Sequence, residues 1–152
     1  MGKIEVKTLK KIREETGAGI MEVKKALEQA QGNQVQAKKI LAKLGREKAA
    51  KRQDKEVKAG RICAYIHSGD QVGAMVSLYS ETDFVARSEE LGRLGKELCL
   101  QVASMDPKTP KELLTQAYIR APEKTVSALI NEYSAKFKEK LSVKEFVRFS
   151  IK

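Results

Sequence analysis

Residues 80–87, Ser-Glu-Thr-Asp-Phe-Val-Ala-Arg, gather hydroxyls, acids, an aromatic ring and a base within two helical turns of chain. Such a set can accept backbone N–H groups and hold a ring toward a partner. It contains no nucleophile beside a base, so its chemistry is recognition and not bond making. Other reactive residues are sparse. Cys63 and Cys99 lie far apart in apolar contexts, and His67 is the single histidine, so a zinc site built from Cys and His lacks ligands. Both cysteines read as small buried hydrophobes. Residues 16–19, Thr-Gly-Ala-Gly, are not a dinucleotide fingerprint, because Glu22 stands where the third glycine belongs and no strand precedes them. No glycine loop cradles a phosphate, and the acids are scattered. No catalytic set and no cofactor site are legible, and an enzyme is not expected.

The elements around residues 80–87 set its geometry. Val72, Ala74, Val76 and Leu78 alternate with other residues, the period of a half-buried strand. At Ser80 the alternation stops, and either Thr82 or Asp83 can cap a following helix. Phe84 then sits at a strand-to-helix corner, where it is either a core aromatic or a ring that points outward.

Upstream, residues 4–16 read as a helix with Val6, Leu9 and Ile12 inward and Gly17 closing it in a left-handed turn. A second helix spans 20–30, with Ile20, Val23, Leu27 and Ala30 on one face. Asn33 can cap a third over 34–44, with Val35, Ile40, Leu41 and Leu44 as its apolar positions and Gly45 following. Residues 1–45 thus form a three-helix module. Residues 46–59 are nearly all charge and alanine, a linker that is either a solvated helix or an arm. Within it Lys51 and Arg52 are placed to touch an acidic partner.

Residues 60–152 make the core domain. Residues 60–67 and 72–79 form a hairpin around the turn Ser68-Gly69-Asp70. Ser88 can cap a helix carrying Leu91, Leu94, Leu98 and Val102, whose Gly92 and Gly95 permit close approach to the sheet. A short helical piece at 111–116 and a longer helix through Val126, Leu129, Ile130, Tyr133 and Phe137 follow. Residues 143–151 alternate as a third strand. The expected fold class is α+β: a three-helix module, then a small three-stranded antiparallel sheet with helices packed on one face. Simple alternation gives the helices Ile62, Ala64, Ile66, Val76, Leu78, Val147, Phe149 and Ile151. It leaves Cys63, Tyr65, His67, Met75, Ser77, Tyr79, Phe146 and Arg148 as the other, mixed face.

Composition bounds the partners. The 152 residues are 41% hydrophobic and 33% charged, with a net charge of +10. Residues 1–59 hold 16 Lys or Arg against 8 Asp or Glu, so the surplus lies in the N-terminal part. A basic face suits an acidic protein surface or nucleic acid. The 5% aromatic content offers few stacking platforms and no base-reading motif appears, so direct nucleic-acid binding is not expected. No apolar run reaches membrane-span length, no signal-peptide block opens the chain, and Val6 occupies the position where myristoylation after Met1-Gly2 needs Ser or Thr. A cytoplasmic setting with no membrane contact follows.

Residues 82–86, Thr-Asp-Phe-Val-Ala, resemble the signature of the elongation factor Ts family, exchange factors for the GTPase elongation factor Tu. So do residues 9–21 with 24–27, residues 60–62 with 65–67, and residues 146–149, in the family's order across nearly the whole chain. The resemblance implies a ubiquitin-associated-like first module that contacts the GTPase through Lys10, Arg13, Ile20 and Met21. It implies a core whose Phe84 wedges near the magnesium site of elongation factor Tu, with Asp83 fixing it and Thr82 and Val85 beside it. Promotion of GDP release would follow without covalent chemistry or a cofactor. Longer relatives carry a second core half and a coiled-coil insertion that are absent here, and residues 138–141 depart from the family's usual turn. Because that second half covers the sheet in longer relatives, a homodimer through the mixed sheet face is expected for this short form.

Overall fold

The computed structural model describes residues 5–151. Helix α1, Val6–Thr16, ends at Gly17, whose φ of 68° and N–H bond to the Arg13 carbonyl make a left-handed stop. Helix α2, Ile20–Gln29, begins with the Glu22 carboxylate accepting the Gly19 N–H at 3.2 Å. Asn33 caps helix α3, Gln34–Lys51, accepting the Gln36 N–H at 3.1 Å. Ile12, Val23, Ala26, Leu27, Ala37 and Leu41 close a core of their own. Four positions expected inside are exposed: Val6, Ile20, Val35 and Leu44. Val6 is the first residue of its helix, and Val35 lies in the first turn of α3, about 200° around the helix from buried Ala37. Ile4, the expected start of the first helix, is outside the described residues.

Helix α3 does not stop at Gly45. A glycine ends a helix when it takes the left-handed conformation; inside a helix it costs only about 1 kcal/mol against alanine. Residues 46–51, Arg-Glu-Lys-Ala-Ala-Lys, are good helix formers and carry the helix through. This extension lies along the core domain, and the Lys140 ammonium donates to the carbonyls of Gln53 and Lys55 beyond it.

Strands β1, Ala59–Ile66, and β2, Val72–Ser80, form the expected hairpin, with Gly69 and Asp70 at positive φ in its turn. Strand β5, Ser142–Ser150, pairs antiparallel with the other edge of β2, giving the order β1-β2-β5. A short helix α4, Asp83–Ala86, leads into α5, Glu89–Met105, capped by Ser88. Then come α6, Pro110–Thr115, and a small hairpin of β3, Ala117–Tyr118, with β4, Ala121–Thr125. That hairpin was not legible, since neither strand alternates. Helix α7, Val126–Phe137, follows. The α+β class holds, with the helices on one face of the three-stranded sheet.

The faces of the outer strands are the reverse of the simple alternation. Cys63 pairs with Val76, Tyr65 with Ala74 and Phe146 with Val76, so Cys63, Tyr65 and Phe146 join Ala74, Val76 and Leu78 against the helices. Arg148 also turns inward, donating to the Ala103 carbonyl at 2.9 Å. Ile62, Ala64, Ile66, Val147, Phe149 and Ile151 are exposed. Two facts explain the exchange. A register shift between Ser77 and Leu78 moves β5 by one residue against β2, and a one-residue slip swaps faces. In β1 the hairpin register sets the face: directly paired residues point the same way, so Cys63 opposite Val76 and Tyr65 opposite Ala74 face the helices. Helix α5 lies close there: a Cβ on Gly95 would stand 2.1 Å from Cys63 Sγ, and one on Gly92 3.0 Å from the Arg61 guanidinium.

Gly95 is therefore a packing requirement. Gly95→Ala is expected to lower unfolding free energy by about 1–3 kcal/mol through overpacking. Gly45→Ala, with nothing within 4 Å of the added methyl, should raise it by about 0.4–1 kcal/mol. Urea titration of the two variants checks both signs.

Candidate partner-binding site

The corner is built by local capping. Ser80, fully buried at the end of β2, donates its hydroxyl to the Thr82 carbonyl at 3.0 Å. Thr82, not Asp83, is the cap of α4, accepting the Val85 N–H at 3.4 Å. Val85 and Ala86 face the core, Val85 only 4% exposed. A helix that buries two successive residues turns the one before them away, and Phe84 is 87% exposed. A core role for the ring is excluded. Val85 holds α4 down from inside the core, while its neighbour projects.

Asp83 is exposed and pairs with Arg87 at 3.6 Å across one helical turn, a surface pair of at most about 1 kcal/mol. The C-terminal side of α4 is pinned by a residue not singled out from sequence. Arg61 on β1 donates to the carbonyls of Ala86 at 3.4 Å and Ser88 at 3.0 Å. The Ser88 hydroxyl donates to the Val85 carbonyl and accepts the Leu91 N–H, so α4 and α5 share one cap. On the N-terminal side Glu139, from the turn at 138–141 that departs from the family's, reaches the corner from 57 positions along the chain. Neither contact has a local signal, because both depend on tertiary approach.

The remaining candidates lie on the N-terminal helices. Lys10 and Arg13 are exposed on α1. Ile20 and Met21, exposed at the start of α2, line a cleft of about 970 Å³ between the three-helix unit and α7. Arg52, half-buried past the end of α3, lines the same cleft; Lys51 is exposed outside it. Thr82, Asp83 and Phe84 stand apart from that cleft. The structure thus displays two separate candidate surfaces.

Burial pushes the thiol of Cys63 up and that of Cys99 to about 12, the latter donating to the Cys63 carbonyl. His67 Nδ1 lies 2.9 Å from the Tyr65 hydroxyl, both far in sequence from the corner. Among the described residues no cluster of three or more His, Cys, Asp or Glu could hold a metal, and no helix is long and apolar enough to cross a membrane.

The family model described as Elongation factor TS matches residues 4–112 and 81–152. Elongation factor Ts of Thermoanaerobacter pseudethanolicus is 36% identical over 191 aligned positions, covering 96% of this chain and 94% of that protein. Its counterpart in Caldanaerobacter subterraneus is 35% identical, covering 96% of each. That of Thermodesulfovibrio yellowstonii is also 35% identical, covering 97% of this chain. The alignments are longer than the 152 residues here, so these relatives carry internal segments that this chain lacks. With matches that together run from the first helix to the last strand, the chain belongs to the elongation factor Ts family.

Proposed function

We propose that the chain binds elongation factor Tu and promotes its release of GDP by disturbing the magnesium and phosphate site. The observation that carries this reading is Phe84, 87% exposed on a corner whose neighbours are capped and buried. An exchange factor makes no covalent bond. It binds the nucleotide-free GTPase more tightly than the nucleotide-bound form, and by linkage the nucleotide is then held more weakly by the same factor. A wedge serves that end only if it projects and cannot fold back. The cap at Thr82, the buried Val85 and the Arg61 contacts supply that rigidity, with Asp83 at its base.

The second contact belongs to residues 1–45, a ubiquitin-associated-like docking unit that offers Lys10, Arg13, Ile20 and Met21. Residues 46–59 link it to the core domain of residues 60–152 and add Lys51 and Arg52. Docking through one surface makes the wedge effectively intramolecular at the other. The reading places the chain in the cytoplasm with its partner, and involves neither nucleic acid nor membrane.

The deciding experiment follows a fluorescent GDP analogue leaving elongation factor Tu, with and without this chain. Release is expected to accelerate with chain concentration and saturate; a rate independent of the chain overturns the proposal. Ile20→Ala with Met21→Ala should separate the two contacts. The concentration for half-maximal rate is expected to rise about tenfold, with the saturated rate little changed, because a docking contact is made equally before and after release.

A further inference from the structure

Two carboxylates join the turn after α7 to the corner that carries Phe84. Glu139 Oε2 accepts the N–H groups of Glu81 and Thr82, each at 3.1 Å, and Glu139 Oε1 accepts the Thr82 hydroxyl at 2.5 Å. In return Glu81 Oε1 accepts the Lys140 N–H at 2.6 Å. The N–H groups of Glu81 and Thr82 lie just past the end of β2, where the sheet ladder has stopped supplying acceptors.

The turn that delivers Glu139 is itself fixed. Lys138 is left-handed at φ 57° and closes α7 with its N–H on the Ser134 carbonyl. The hydroxyl of buried Ser134 donates to the Glu139 carbonyl oxygen. One residue on, Lys140 grips the segment leaving α3. A single short turn therefore holds both the Phe84 corner and the connection to the three-helix unit.

Resting on the exchange reading above, we propose that Glu139 is the positioning residue of the Phe84 wedge. Its action on the cap is specific. The Thr82 hydroxyl has one proton; giving it to Glu139 leaves a lone pair for the Val85 N–H, which is the cap that starts α4. The two backbone bonds fix the chain at the step into that helix. Because the acceptor is a carboxylate, all three bonds are charge-assisted and hold more firmly than neutral ones. Glu139 is itself half-buried, so water competes only partly for its oxygens. Lys140 sets the corner relative to the docking unit, and with it the span between the two contacts with the GTPase.

The test uses the full chain with elongation factor Tu loaded with the fluorescent GDP analogue. Glu139→Ala is expected to lower the saturated release rate about tenfold, since small misplacement of an acting group is costly. The half-saturating concentration should stay within about twofold, because docking is untouched. Glu139→Gln, whose single carbonyl oxygen serves either the N–H pair or the hydroxyl, should fall between. Phe84→Ala combined with Glu139→Ala should be no slower than Phe84→Ala alone, because Glu139 acts through the ring. Amide hydrogen exchange at Glu81 and Thr82 should quicken in both Glu139 variants of the free chain.

A saturated rate equal to the parent's for Glu139→Ala overturns the proposal, as does a double variant slowed by the product of the single effects. Should Glu139→Ala lose its fold by circular dichroism, Glu139→Gln decides: parent-like rate and parent-like amide protection overturn the role. A parent chain that leaves GDP release unchanged sinks the exchange reading, and the positioning role with it. A parent that accelerates release while Glu139 is indifferent sinks the positioning role alone.

Discussion

Phe84→Ala should slow catalysed GDP release by about thirtyfold to several hundredfold and leave the fold intact. A buried interface anchor contributes about 2–4 kcal/mol when truncated, and each 1.4 kcal/mol is a factor of ten in rate. The free chain makes no use of the ring, which is 87% exposed. Surface substitutions of that kind change stability by about 0.5 kcal/mol or less, a shift in melting temperature of about 1–2 °C. Val85→Ala is the natural contrast, since Val85 is 4% exposed and packed in the core. It should lower the melting temperature clearly, and it slows exchange only as far as it loosens α4. Stopped-flow release at saturating chain, beside thermal melts of both variants, reads the two axes. A folded Phe84→Ala chain that exchanges at the parent rate removes Phe84 from the mechanism.

The corner was legible in sequence because its signals are local. The alternation of β2, a threonine one turn before Val85, and Ser88 opening α5 each act within four residues. Between Thr82 and Asp83 as cap, and between an inward and an outward Phe84, sequence offered no decision; the burial of Val85 and Ala86 makes it. The sheet faces were misread for a different reason. Alternation states which residues share a face, but the choice of inward face was made on hydrophobicity, which favoured Ile62, Ala64 and Ile66. The hairpin register reversed it: Cys63 stands opposite inward Val76 and Tyr65 opposite inward Ala74, so Ile62, Ala64 and Ile66 face the other way. On β5 the register shift at Ser77/Leu78 did the rest. Gly45 misled in the opposite sense, since a glycine stop requires a left-handed residue and α3 offers none there. Arg61 and Glu139 act across 25 or more positions, and no spacing rule reaches that far.

The reversal of the sheet faces sharpens the expectation of a homodimer and moves it to the opposite face from the one first assigned. Ile62, Ile66, Met75, Val147 and Phe149 stand exposed together, Ile62 at 68% and Phe149 at 70%, on the side without helices. Ile66 lies over Gly73, whose missing side chain leaves it room. A contiguous exposed face of large apolar side chains marks a contact surface. The occupant we commit to is a second copy. An isologous contact needs a patch that complements itself, and a largely apolar face does so with few charges to oppose, here Lys144 over the Tyr79 ring and Glu145 beside Ser77. That matters for a chain of net charge +10. Two such sheets would pack face to face about 10 Å apart, and a stable pair needs about 800 Å² from each partner. Light scattering coupled to size exclusion is expected to give about twice the 16.9 kDa chain mass, falling toward the single-chain mass on dilution. Ile66→Asp and Phe149→Asp each place a charge on the apolar face while costing the monomer little, because both side chains are exposed in it. Each should give the single-chain mass with an unchanged circular dichroism spectrum. A parent chain that measures 16.9 kDa at every loading concentration overturns the dimer. A parent dimer indifferent to both substitutions shows that the copies meet elsewhere.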